Sequence, residues 1–73
     1  MKKYAIVIEH GESNLSAYVP DLPGCITTCR TVAEIERNIR EAIELHLEGL
    51  REDGEPAPEP HTAVGYIELQ EVA

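Results

Sequence analysis

Trp and Phe are absent from the 73 residues, and three tyrosines are the only aromatics. The core must therefore be built from Ile, Leu, Val and Ala. Cations are scarce as well, with six basic residues against fourteen acidic ones and a formal net charge of −8. A surface that holds phosphates needs clustered Lys and Arg, so direct binding to DNA or RNA is not expected. A basic protein is the natural electrostatic complement. No stretch approaches the roughly 20 apolar residues of a membrane span, and no leader of charged then apolar residues opens the chain. A cytoplasmic protein without membrane contact is the expectation.

Cysteine is limited to Cys25 and Cys29, four residues apart in a stretch that reads as a strand. Four extended steps separate their Cα atoms by about 13 Å, whereas a disulfide needs less than about 7 Å. Reduced thiols follow, in a reducing compartment. Zinc would need two further ligands, but His10, His46 and His61 fall in separate elements and no C-x-x-C or H-x-x-x-H spacing occurs. Small buried or half-buried thiols are the simpler reading. No metal and no cofactor are expected.

What is present suits a folded globule, since 42% of the residues are hydrophobic. A chain this short makes at most one domain, residues 1–73, and buries only about 60% of the surface it exposes when unfolded. Such a chain usually needs added support, from a very regular core or a partner subunit.

Lys3 to Glu9 is dense in β-branched and aromatic side chains, with Tyr4, Ile6 and Ile8 on one face, and reads as a central strand. His10 to Asn14 is turn chemistry and Leu15 to Val19 alternates again, which predicts a hairpin. Pro20 and Pro23 bracket Asp21 and Leu22 and must stop the second strand. Gly24 permits the turn into a third, Cys25 to Arg30. Thr31-Val-Ala-Glu34 reads as a capping box opening a helix from Val32 to Asp53. Val32, Ile35, Ile39, Ala42, Ile43, His46, Leu47 and Leu50 share one face of it at 100° per residue, and the charged residues lie opposite. Gly54 stands at the expected left-handed stop. Pro56, Pro58 and Pro60 make an extended connector, and Val64 to Val72 reads as a returning strand. The fold class is α+β, ordered β-β-β-α-β: an antiparallel meander, one long helix on one face, and a last strand.

Within that frame His46 is a core-edge imidazole rather than a catalytic base. Glu36–Arg40 and Arg40–Glu44 are spaced for i,i+4 pairs. Leu45 sits just off the core arc, as a rim residue for oligomer contact or core-edge packing. The Pro20–Cys25 loop is a rigid connection, with Asp21 bonding nearby amides and Leu22 turned inward, and ordered loops also present binding groups. A nuclease would need several carboxylates converging on metal ions. Glu9, Glu68 and Glu71 are scattered over strand regions and Asp21 lies in the loop, so catalysis is not expected.

The string Val19-Pro-Asp-Leu-Pro-Gly-Cys25, after a hairpin containing two tyrosines, resembles the HicB-like antitoxin family. Thr31, Glu34, Asn38, Glu41 and Ala42 match its pattern too, as does the proline-containing stretch after the helix, so the resemblance covers nearly the whole chain. It implies a partial RNase H-like fold and a non-enzymatic protein that binds and silences a HicA-like toxin. Such toxins are small and basic, resemble double-stranded-RNA-binding domains, and cleave messenger RNA with a histidine. Two departures stand out. Cys29 and Arg30 replace the Gly-Asp pair that usually precedes the capping Thr. Many relatives also carry a C-terminal helix-turn-helix or ribbon-helix-helix domain, whereas this sequence ends at Ala73, so a single-domain form without direct DNA binding is the expectation.

The leading reading is therefore an antitoxin-like protein that occludes a basic ribonuclease toxin. Its candidate contact residues are Pro20, Asp21, Leu22 and Pro23 in the loop, and Glu41, Glu44 and Glu48 on the helix. The competing reading is a solitary homo-oligomeric scaffold or ligand-binding module of the same fold; under either, a homo-oligomer is expected, because a sheet face left uncovered tends to be covered by another subunit.

Overall fold

The computed structural model describes residues 1–71 and arranges them as β1 (Val7–His10), β2 (Leu15–Tyr18), β3 (Ile26–Cys29) and α1 (Val32–Glu52). The strands form one antiparallel sheet in the order β1-β2-β3. Val7 faces Tyr18 and His10 faces Leu15, while Leu15 faces Cys29 and Tyr18 faces Ile26. The expected hairpin is present, closed by the Gly11 amide donating to the Asn14 carbonyl at 2.8 Å.

β1 departs from expectation in extent and position: it begins at Val7 rather than Lys3, and it is an edge strand rather than a central one. The register explains the first point. One step beyond Val7–Tyr18 places Ile6 against Val19, and the next would place Ala5 against Pro20, which has no amide to donate. The Val19 amide instead turns to the Cys25 carbonyl at 3.1 Å. Residues 3–6 thus run on without a ladder partner.

Leu15, Ala17 and Val19 alternate on the helix-facing side of the central strand. With Leu22, Cys25, Ile35 and Ile39 they form the buried core. The helix begins as the sequence predicts: the Glu34 carboxylate accepts from the Thr31 amide at 3.1 Å and from its hydroxyl at 3.0 Å. These bonds hold the Glu34 carboxyl below its usual range, the Thr31 hydroxyl contributing most. It ends as predicted too, with Gly54 at φ 74° and the Glu55 amide donating to the Leu50 carbonyl at 2.9 Å. α1 lies across β3 and β2 but not over β1. Its first half is therefore sealed at Ile35 and Ile39, whereas Ile43, His46, Leu47 and Leu50 are half-buried.

Cys25 is buried and Cys29 half-buried, and both are free thiols. Burial pushes the Cys25 thiol pKa up. The Cys29 thiol donates to the Thr31 carbonyl at 3.1 Å. No helix is long and apolar enough to cross a membrane among the described residues.

The returning strand does not form within this chain. Residues 64–71 carry no ladder, and all of them are exposed, Tyr66, Ile67 and Leu69 by 84% or more; Val72 lies outside the described residues. Local β propensity is satisfied only where an edge supplies backbone partners.

The core predicts a sharp contrast between two leucines. Leu22, with no exposed surface, should cost about 2–5 kcal/mol when truncated to Ala, a large share of the roughly 5–15 kcal/mol available to a small protein. Leu45, exposed by 71%, should change by less than about 0.5 kcal/mol. Urea unfolding followed by circular dichroism measures both; equal losses would contradict the packing.

Candidate partner-binding surface

The Pro20–Cys25 loop is a compact double turn. The Leu22 amide donates to the Val19 carbonyl at 3.1 Å and the Cys25 amide to the Leu22 carbonyl at 3.0 Å, while Gly24 supplies a φ of 85°. Within it Leu22 is wholly buried and Asp21 is 5% exposed. Both hold the loop from beneath. Its outward surface is Pro23 and Gly24, with Pro20 half-buried.

Asp21 reaches much farther along the chain than the nearby amides expected of it. Its Oδ2 accepts from the His61 amide at 2.9 Å and the Thr62 amide at 3.1 Å, and its Oδ1 accepts from the Thr62 hydroxyl at 2.6 Å. His61 Nε2 stands 3.1 Å from the same Oδ1. The Thr62 hydroxyl does most to hold the carboxyl below its ordinary range; burial opposes it, and the two amides and His61 each add a smaller lowering. The connector is pinned upstream too, where the Tyr4 hydroxyl donates to the Pro58 carbonyl at 2.6 Å and Lys2 pairs with Glu59. The prolines thus carry the chain past Tyr4 to the β2–β3 loop. His61 and Thr62 had no sequence signal as partners of Asp21, because no spacing rule links groups 40 residues apart.

Glu41, Glu44 and Glu48 are exposed along the helix face opposite the core. Leu45, also exposed, is one turn from both Glu41 and Glu48. The expected pairs Glu36–Arg40 and Arg40–Glu44 do not close; the ion pairs among the described residues are Lys2–Glu59 and His61–Asp21. The helix acids and the loop are separate surfaces among the described residues. No group of three metal-ligating side chains converges among the described residues.

A family model for the HicB-like antitoxin of bacterial toxin-antitoxin systems matches residues 4–72. The chain belongs to the HicB-like antitoxin family. It is similar to a chain of a solved HicA3 and HicB3 toxin-antitoxin complex, with a TM-score of 0.71 and 35% identity, covering 82% of this chain and 70% of that one. An uncharacterized 14.9 kDa protein of Haemophilus phage HP1 is 38% identical over 93% of this chain, which spans about half (51%) of the phage protein's length. A UPF0150 protein of Archaeoglobus fulgidus is 46% identical over 73% of this chain and 81% of its own length. In this HicB-like chain the Pro-Asp-Leu-Pro-Gly string has a structural reason: its Asp and Leu anchor the loop, and its Gly turns it.

A carboxyl held below its ordinary range stabilises the fold when ionised. Its contribution is present above the unfolded-state pKa and is lost as pH falls through the lower folded-state value. Asp21→Asn should therefore lower the melting temperature at neutral pH, and the gap from the parent should narrow as the pH drops below the ordinary carboxylate range. Thermal unfolding across that range checks it; a pH-independent gap would show that the charge of Asp21 is not what matters.

Proposed function

We propose that this chain is the antitoxin of a toxin-antitoxin pair and acts by occlusion, covering a small basic HicA-like ribonuclease without doing chemistry itself. The observation that carries this reading is its likeness, in fold and at 35% identity, to a chain of the HicA3 and HicB3 complex. The charge of −8 supports it, since a positively charged toxin surface made for RNA is drawn to an acidic one.

The proposed contact is the solvent face of α1. Glu41, Glu44 and Glu48 supply the charge, and Leu45 supplies an apolar anchor among them, the arrangement that gives interfaces both steering and a desolvated centre. The outward side of the Pro20–Pro23 loop is the second proposed contact, with Asp21 and Leu22 fixing its shape. A rigid acidic surface stops an RNA-cleaving partner by excluding RNA from it, so neither a metal nor a nucleophile is required of this chain.

Co-expression with the small basic protein encoded next to it tests the reading. The two should co-purify, and growth inhibition by the toxin should be relieved. Glu41→Lys with Glu48→Lys should weaken the complex by about tenfold or more, with a shallower dependence on salt. If no small basic protein is encoded there, or none is retained on the immobilised chain, the proposal fails.

A further inference from the structure

The helix outruns the sheet that it covers. Its 21 residues span about 31 Å, whereas strands of four residues span about 13 Å. The chain itself covers part of the overhang by turning back. Gly54 adopts φ 74°, the Glu55 amide donates to the Leu50 carbonyl at 2.9 Å, and the connector then passes beside the last turns of α1. Between helix and connector lies a groove of about 550 Å³. Glu44, Leu47, Glu48 and Arg51 form its helix wall, spaced i, i+3, i+4 and i+7 so that they share one side of α1. Glu55, Pro56 and Ala57 form the wall opposite. We propose that this groove docks one long cationic side chain, a lysine or an arginine, of the basic partner protein. The inference rests on the antitoxin reading and names what the partner presents at that surface.

The lining argues for such an occupant. Leu47 and Ala57 are half-buried, and with Pro56 they give the groove an apolar strip. The aliphatic stem of a lysine or arginine lies along a strip of this kind while its charged head stays at the wet rim. The rim carries three carboxylates against one cation. Arg51 neutralises none of them, since the ion pairs among the described residues are Lys2–Glu59 and His61–Asp21. Glu44 and Glu48, four residues apart on the helix, repel each other, and a cation set between them relieves that repulsion. A second copy of this chain, with its net charge of −8, is a poor occupant for the same site.

Two further features favour docking. The connector is held without the partner, because the Pro58 carbonyl accepts from the Tyr4 hydroxyl at 2.6 Å and Glu59 pairs with Lys2. A wall fixed in advance costs little further ordering when the groove fills. The groove also adjoins the proposed contact: Glu44 and Glu48 stand on α1 between Leu45 and the connector, so one partner reaches both.

The test uses the complex with the small basic protein encoded next to this chain, its affinity measured by calorimetry. Ala57→Leu fills the groove at constant charge, and Glu44→Gln with Glu55→Gln removes two of its carboxylates. Each should weaken the complex about tenfold or more with the helical circular dichroism signal intact. Glu9→Gln with Glu12→Gln, the same loss of charge at the hairpin, should weaken it less than about threefold. Alanine replacement of the partner's lysines and arginines should find one whose loss costs about tenfold with the parent and less than about twofold with Ala57→Leu. Should Ala57→Leu disturb the helix, the glutamine pair decides through the same coupling. Groove variants that bind as tightly as the hairpin control overturn the proposal and leave the antitoxin reading standing. So does a partner in which no cation is coupled to the groove, or in which an aromatic or aliphatic side chain is coupled instead. A parent that retains no basic partner overturns both.

Discussion

One buried carboxylate organises the described chain. Asp21 sits in a loop whose own turns leave it unbonded, and it binds a segment 40 residues away through two amides and a hydroxyl. A core of seven buried residues, none aromatic, gives such a small sheet and helix little surplus stability. A charge-assisted bond across that distance is then a structural strut. It fixes the loop from beneath and ends the proline connector at a defined place.

From that constraint the surfaces divide. The inner face of α1 is spent on the sheet; the outer face is acidic with Leu45 set among its glutamates; and the flank beside β1 mixes charges of both signs with Tyr4, Ile6, Ile39 and Ile43. The occlusion proposed above asks only for shape and charge, and among the described residues no group of metal ligands converges.

Local chemistry in the sequence was enough to place α1 and the hairpin. Thr31 and Glu34 mark one end of the helix and Gly54 the other, and the apolar arc is correct at the buried Ile35 and Ile39 but not at Val32, which is 62% exposed. The loop was legible as a turn for the same reason, and the cysteine spacing excluded a disulfide that the structure lacks. What sequence could not supply was pairing. β1 is shortened because Ala5 would meet Pro20, a fact of register. Asp21 reads as a local turn residue because a carboxylate does not declare which amides it serves. Residues 64–71 have the composition of a strand, but a strand exists only with its edge, and here they pair with none. Of the seven proposed contact residues, Asp21 and Leu22 are turned inward, Pro20 is half-buried, and Pro23 and the three glutamates remain on the outside.

The most direct measurement of the central claim is a pH titration by nuclear magnetic resonance, following the Asp21 carboxyl carbon together with the His61 and Thr62 amides. The account predicts a carboxyl that titrates below the ordinary aspartate range, with both amides shifting and losing exchange protection at that same midpoint. An Asp21 that titrates in the ordinary range, beside amides that exchange freely throughout, would contradict it.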